Sequence, residues 1–168
     1  MDVDLTELSA AIGAVCLERK LTIATAESCT GGWAAQVITH TSGSSAWFDR
    51  GFVTYTNAAK ADMLGVPMNT IETFGAVSME TATAMAAGAL NHSNALISLS
   101  ITGIAGPTGG SPDKPVGTVC FAWSGKNSTP SCERRLFSGD RENIRRQSVL
   151  HALSGLLKLA QETARNMP

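Results

Sequence analysis

A serine at a predicted strand-to-helix turn is the first group in this sequence that could do chemistry. Ser28 and Thr30 lie between a β-prone run at residues 21–26 and a helical pattern at residues 33–39. Backbone N–H groups at a helix N-terminus carry partial positive charge and suit an oxyanion or a phosphate. A hydroxyl beside such donors can attack a carbonyl carbon. The alternative is that Ser28 or Thr30 only caps the helix.

A lysine 32 positions after Ser28 could act on that hydroxyl. Lys60 is the first cation after Arg50, and Tyr55, the only tyrosine of the chain, precedes it. Desolvation in a largely uncharged pocket can hold a lysine neutral, and a neutral lysine can be a general base toward serine. The alternative is a solvated lysine on a helix face.

Two further segments could hold an anion. Residues 102–110 contain four glycines after a predicted strand, and glycines let the backbone approach a ligand while its N–H groups form an anion nest. Arg141 and Arg145 are four residues apart, so on one helix face they could clamp a phosphate. The alternatives are an ordinary surface loop and surface ion pairs with Asp140 and Glu142.

Hydrophobic periodicity places these segments in one α/β domain that spans residues 1–168. Helices are predicted over residues 4–19, 33–39, 57–64 and 78–90 and after Asp140, and strands over 21–26, 51–54, 95–101, 116–123 and 134–137, with a loop over 102–115. The N-terminal helix is predicted to start with a capping box of Asp4 and Glu7. The expected architecture is a central mixed β-sheet flanked by α-helices, in three α/β/α layers.

Composition excludes several classes of protein. The 168 residues include 13 Lys and Arg and 14 Asp and Glu, a net charge of −1, which argues against a nucleic-acid-binding surface. A hydrophobic content of 43% argues against a disordered chain. Residues 28–48 and 81–112 contain no charged side chain, yet polar residues interrupt both, so neither predicts a membrane span. We expect these stretches to fold inward around a site.

The N-terminus and the cysteines bear on compartment and metals. The chain begins Met-Asp-Val-Asp-Leu, acidic and without a following apolar region, which favours a cytoplasmic protein. Cys16, Cys29, Cys120 and Cys132 have no metal-ligand spacing, so we expect four core residues and no metal.

Taken in order, the segments resemble the CinA C-terminal domain family in its stand-alone amidase form. The resemblance covers about residues 5 to 160 and is carried by residues 25–32 (TAESCTGG), 43–48 (GSSAWF), 51–60, 75–78 (GAVS), 103–110, 114–119 (KPVGTV) and 137–141 (FSGDR).

This resemblance implies hydrolysis of the carboxamide of nicotinamide mononucleotide to nicotinate mononucleotide and ammonia, without a cofactor, in pyridine nucleotide recycling. It implies that Ser28 is the nucleophile and Lys60 the general base, supported by Tyr55. Either Lys60 or Tyr55 could then donate a proton to the departing ammonia. It also favours a homo-oligomer, with a dimer as the first choice. The residues expected to bind the substrate are Glu27, Thr30, Gly31, Gly32, Asn57, Thr102, Gly103, Gly106, Arg141 and Arg145.

Three questions stay open on the sequence alone. N–H groups at residues 30–32 are expected to hold the oxyanion, but Cys29 is a competing nucleophile. The runner-up function is a non-catalytic nucleotide-binding or scaffolding module linked to DNA uptake or repair, and a third is an amidase or esterase for another small amide. The groups that bind the phosphate are also open.

Overall fold

Six helices and five strands make up residues 2–163, the part of the chain that the computed structural model describes. The elements are α1 (Val3–Arg19), β1 (Ile23–Glu27), α2 (Trp33–His40), β2 (Phe48–Val53), α3 (Asn57–Leu64), α4 (Met68–Phe74), α5 (Met79–Asn91), β3 (Ile97–Gly103), β4 (Thr118–Gly125), β5 (Ser131–Leu136) and α6 (Arg141–Thr163). A short 3₁₀ turn, Ser44–Ala46, precedes β2. Within residues 2–163, no helix is both long and apolar enough to cross a membrane.

The five strands form one mixed sheet in the order β2-β1-β3-β4-β5. Strand β1 is parallel to both β2 and β3, whereas β4 and β5 continue the sheet in antiparallel fashion. The carboxyl ends of β1, β2 and β3 therefore meet at one edge of the sheet. That edge is where open α/β sheets place their ligands.

Helices cover both faces of the sheet, which confirms the predicted three-layer α/β/α fold. Helices α1, α2 and α6 pack together on one face, and α3, α4 and α5 lie on the other. Residues 97, 99 and 101 of β3 are apolar and join the core under α6. The alternate residues of the same strand are hydroxyl-bearing and face α5, as their hydrogen bonds to that helix demonstrate.

The hydroxyl-bearing face of β3 allows α5 to lie close to the sheet. The hydroxyl of Ser98 donates to the Ala86 carbonyl at 2.8 Å, and that of Ser100 donates to the Ala82 carbonyl at 2.6 Å. On the far side of α5, a Cβ at Gly88 would overlap the carbonyl oxygen of Leu64. Close packing on both sides of α5 thus fixes α3, the helix that contains Lys60.

Several element boundaries differ from the predictions. Strand β2 begins at Phe48, β3 continues to Gly103 and β5 begins at Ser131, because pairing with neighbouring strands extends them beyond their apolar cores. Helix α4 was not predicted, since its seven residues show too little periodicity to reveal it.

The start of α1 and one cysteine also differ. Asp2, and not the predicted box of Asp4 and Glu7, caps α1, and its carboxylate accepts from the Asp4 and Leu5 N–H groups. Cys16, Cys29 and Cys120 are buried as expected, but Cys132 is exposed on the edge strand β5.

Candidate active site

An open cavity of about 280 Å³ lies at the edge where the three parallel strands end. Four chain segments and the start of α6 line it, with the residues Ser28, Cys29, Tyr55, Asn57, Lys60, Ala76, Val77, Thr102, Gly103, Ile104, Ala105, Gly106, Thr108, Gly109 and Arg141. Eight of the predicted site residues are in that set, namely Ser28, Tyr55, Asn57, Lys60, Thr102, Gly103, Gly106 and Arg141. The other five are Glu27, Thr30, Gly31, Gly32 and Arg145.

Lys60 and Ser28 meet at the floor of this cavity. The Lys60 Nζ lies 3.0 Å from the Ser28 Oγ, 2.9 Å from the Thr54 carbonyl oxygen and 3.4 Å from the Tyr55 carbonyl oxygen. The side chains are 1% and 7% exposed respectively, so the alternative of a solvated lysine is wrong. Burial lowers the pKa of the Lys60 amine below its usual 10.5.

The three oxygens around Lys60 Nζ can be bonded by the lysine in either protonation state. An ammonium donates to all three, whereas a neutral amine donates to the carbonyls of Thr54 and Tyr55 and accepts from the Ser28 hydroxyl through its lone pair. No carboxylate forms an ion pair with Lys60 among residues 2–163. The arrangement therefore suits a base that takes the serine proton.

Backbone hydrogen bonds fix the turn that contains Ser28. The Ser28 N–H donates to the Ile101 carbonyl at 2.9 Å, which ties the turn to β3. The Gly31 N–H donates to the Ser28 carbonyl at 3.0 Å, and Gly31 and Gly32 have φ angles of 61° and 98°. These left-handed angles favour glycine. The residue that precedes α2 is Gly32, without a side-chain cap, so neither Ser28 nor Thr30 caps this helix.

The carboxylate of Glu27 occupies the start of α2. It accepts from the Thr30 hydroxyl at 2.7 Å and from the N–H groups of Ala34 and Ala35 at 2.8 and 3.1 Å. Burial raises the pKa of the Glu27 carboxyl, and these hydrogen bonds oppose that shift. The helix N-terminus that the sequence predicts to hold a substrate anion thus already binds a carboxyl group of the protein.

Cys29 has the wrong environment for a nucleophile. Its side chain is only 6% exposed and packs in the main apolar core. Burial raises the pKa of the Cys29 thiol to about 12, so the reactive thiolate is scarce at neutral pH.

Arg141 bridges the mouth of the cavity. Its Nη1 donates to the Gly106 carbonyl at 2.8 Å and its Nη2 donates to the Tyr55 hydroxyl at 3.1 Å. Tyr55 is 59% exposed, so its ring belongs to the rim, and only its carbonyl approaches Lys60.

Arg145 points elsewhere. Its Nε donates to the Cys29 carbonyl at 3.0 Å and its Nη2 to the Thr30 carbonyl at 3.1 Å, while its guanidinium lies 5.5 Å from the centre of the Trp33 ring. The two arginines therefore do not form a joint clamp, the arrangement that their spacing would allow. Within residues 2–163 neither one forms an ion pair with Asp140 or Glu142.

The glycine-rich loop at residues 104–117 forms one wall of the cavity. The Lys114 Nζ donates to the Phe74 carbonyl at 2.7 Å, which holds the loop against α4. The N–H groups of Ala105, Gly106, Thr108 and Gly109 have no acceptor among residues 2–163. They are therefore available to a ligand.

The other wall of the cavity consists of residues that are not among the predicted site residues. Ala76 and Val77 line the cavity, and the Ala76 carbonyl accepts from the Thr102 hydroxyl at 2.8 Å. Their signal in the sequence is the motif at residues 75–78, one of the segments that carry the family resemblance.

Comparison with known proteins gives one consistent result. The CinA C-terminal domain family model matches residues 5–160. The nicotinamide-nucleotide amidohydrolase PncC of Escherichia coli K12 is 52% identical over 155 residues, which cover 92% of this chain and 94% of that protein. The PncC of Pseudomonas putida is 50% identical over 158 residues, which cover 94% and 98%.

A solved structure agrees with these sequence relationships. The crystal structure of the competence/damage-inducible protein CihA of Agrobacterium tumefaciens matches with a TM-score of 0.92 and 48% identity, over 95% of this chain and 97% of that one. Both the sequence and the fold thus point to one family, and the chain belongs to the CinA C-terminal domain family.

Proposed function

We propose that this chain is a nicotinamide-nucleotide amidohydrolase that converts nicotinamide mononucleotide and water to nicotinate mononucleotide and ammonia. The observation that carries the proposal is the contact between a buried lysine, Lys60, and a serine, Ser28, in a cavity. About 50% identity to proteins named for this activity, over more than nine-tenths of the chain, supports the choice of substrate.

In the first half of the reaction, Ser28 becomes acylated. The neutral Lys60 amine takes the hydroxyl proton as the Ser28 Oγ attacks the carboxamide carbon, which forms a tetrahedral oxyanion. Lys60 then gives this proton to the amide nitrogen, the C–N bond breaks, and ammonia leaves. The Thr54 and Tyr55 carbonyls stabilise the ammonium that forms transiently on Lys60, since both lie within hydrogen-bond distance of Nζ.

In the second half, water replaces ammonia. Lys60 takes a proton from the water as it attacks the ester carbon, and returns it to the Ser28 Oγ as the acyl bond breaks. We assign both transfers to Lys60 alone. The Tyr55 hydroxyl is engaged by Arg141 at the rim, which favours a binding role for Tyr55 over proton delivery.

Arg141 and the glycine-rich loop are the best candidates to bind the 5′-phosphate. The present partners of Arg141 are a carbonyl and a phenol, both neutral. A phosphate dianion accepts stronger hydrogen bonds from a guanidinium than either of these groups. Residues 105, 106, 108 and 109, whose N–H groups have no acceptor within residues 2–163, also line this cavity.

Ammonia release from purified protein tests the function. We expect turnover of nicotinamide mononucleotide, and little or none of nicotinamide riboside or nicotinamide, which lack the phosphate. Turnover of another amide only would favour the third function noted from the sequence, and no turnover at all would favour a nucleotide-binding or scaffolding module. A role in pyridine nucleotide recycling, a cytoplasmic location and a homodimer stay predictions.

A further inference from the structure

We propose that Arg145 is a positioning residue that holds the backbone N–H groups of Cys29 and Thr30 ready to bind the oxyanion. This inference rests on the proposed function, because it concerns the acyl transfer at Ser28. It replaces two sequence predictions, the phosphate contact of Arg145 and the use of N–H groups at residues 30–32.

The contacts of Arg145 set the direction of one peptide group. Its Nε donates to the Cys29 carbonyl at 3.0 Å. Because a trans peptide is planar with its C=O and N–H antiparallel, the Thr30 N–H in the same peptide points away from Arg145. The neighbouring peptide is set in a similar way, since the Ser28 carbonyl accepts from the Gly31 N–H and so turns the Cys29 N–H to the opposite side.

These two N–H groups are unused donors. Neither has an acceptor among residues 2–163, although Cys29 and Thr30 are both buried. Two other donors of the turn are engaged, the Ser28 N–H with the Ile101 carbonyl and the Gly31 N–H with the Ser28 carbonyl. Buried N–H groups without a partner are rare, which points to an acceptor that arrives with the substrate. The N–H that follows a catalytic serine is a common oxyanion donor.

Among residues 2–163, Arg145 is the only donor to the Cys29 carbonyl. The Thr30 carbonyl also accepts from the Trp33 N–H at 3.1 Å, whereas the Cys29 carbonyl has only Arg145. Loss of Arg145 therefore frees the peptide that contains the Thr30 N–H. The Trp33 ring holds the guanidinium in place. A Cβ added to Gly31 would lie 3.5 Å from the Arg145 Nη2, so the guanidinium also lies close to the backbone of the turn.

The test separates transition-state binding from phosphate binding. For Arg145→Ala, we expect kcat for nicotinamide mononucleotide to fall roughly 100-fold with an unchanged KM, since an oxyanion contact acts on the transition state. A phosphate ligand would give the opposite pattern, a raised KM with kcat retained, and that result would overturn the proposal. Added guanidinium should partly restore kcat in this variant.

Two further variants serve as controls. Arg145→Lys keeps a positive charge that reaches one of the two carbonyls, so its kcat should lie between those of the wild type and Arg145→Ala. It also provides the test if Arg145→Ala does not fold. Arg146→Ala removes the adjacent arginine, whose partners are Asp2 and Asp4 at the surface, and should leave kcat unchanged and insensitive to guanidinium.

A fluorophosphonate reagent separates this proposal from the proposed function. Phosphorus bonds to the Ser28 Oγ as Lys60 takes the hydroxyl proton and fluoride leaves, and the phosphoryl oxygen of the adduct occupies the oxyanion position. If wild-type protein does not hydrolyse nicotinamide mononucleotide, the function fails, but slower labelling of Ser28 in Arg145→Ala would still support the positioning role. Equal labelling rates in the wild type and both Arg145 variants, or no labelling of any, would overturn it.

Discussion

The Nζ of Lys60 lies 3.0 Å from the Oγ of Ser28, with Lys60 almost completely excluded from solvent. The nearest partners of the lysine are a hydroxyl and two carbonyls, and none is anionic. An uncompensated ammonium is unfavourable at such a position, so the same burial that penalises its charge makes the amine a base. The geometry of this pair leads to the predictions below.

The first prediction distinguishes the two adjacent nucleophiles. Ser28→Ala should lower ammonia release at least about 1,000-fold, because it removes the attacking oxygen while leaving the turn's backbone bonds in place. Cys29→Ala should retain kcat, since the buried thiol stays protonated. Unfolding in urea would check that both variants fold. The reverse pattern of activities would identify Cys29 as the nucleophile.

The second prediction concerns pH. The active form of Lys60 is unprotonated, so kcat/KM should rise as the pH increases through the pKa of Lys60. Because burial lowers that pKa, the rise should level off clearly below 10.5, the value of an ordinary lysine. A profile that still rises at pH 10.5 would contradict a buried neutral base.

Substitution of the base gives a third prediction. Lys60→Arg should be nearly inactive at every pH, because a guanidinium does not lose its proton in this range. Lys126→Met, at an exposed lysine outside the cavity, should match the wild type in kcat and in its pH profile. Substantial turnover by Lys60→Arg would exclude Lys60 as the base.

A fourth prediction tests the phosphate contact. Arg141→Ala should raise KM for nicotinamide mononucleotide by about 10- to 100-fold, the range for loss of a charge-assisted hydrogen bond of roughly 1.5–3 kcal/mol. It should not alter the weak reaction with nicotinamide riboside, which has no phosphate. Arg135→Ala, at an exposed arginine that pairs with Glu133, is the matched control and should leave KM unchanged. An equal effect on both substrates would assign Arg141 to some other contact.

The fifth prediction concerns stability. Glu27→Gln places an NH₂ group against an N–H or hydroxyl donor, so it should lower the free energy of unfolding by about 1–3 kcal/mol. The raised pKa of Glu27 means that the folded state binds more protons than the unfolded state between pH 4.5 and the folded-state pKa. The free energy of unfolding of the wild type, relative to that of Glu27→Gln, should therefore decrease as the pH rises from 4.5 to the folded-state pKa of Glu27.

Urea unfolding across this pH range measures both effects. Glu72→Gln, at an exposed position in α4, is the control and should change stability by less than about 0.5 kcal/mol at each pH. A Glu27→Gln variant as stable as the wild type would mean that the carboxylate does not fix the start of α2.

Local patterns were sufficient for much of the fold. Strand β3 and the turn after β1 depend on residues close together in the chain. Apolar alternation in residues 97–101 therefore predicts the strand, and the glycines that follow β1 predict the turn. Helix α4 is too short to be predicted from periodicity. The predicted β5 starts too late because an exposed edge strand lacks an apolar pattern. Boundaries depend on strand pairing, which no local window contains.

The residue types near the carboxyl ends of the parallel strands follow from local sequence alone, with a serine after β1, a lysine on the helix after β2 and glycines after β3. Tertiary structure alone decided what those groups contact. Packing on α5 positions the helix that brings Lys60 to Ser28, Glu27 fills the helix N-terminus, and Arg145 turns from the cavity to the carbonyls of the nucleophile turn. The physical reason is that long charged side chains choose among many rotamers, and their partners are set by segments far away in the chain.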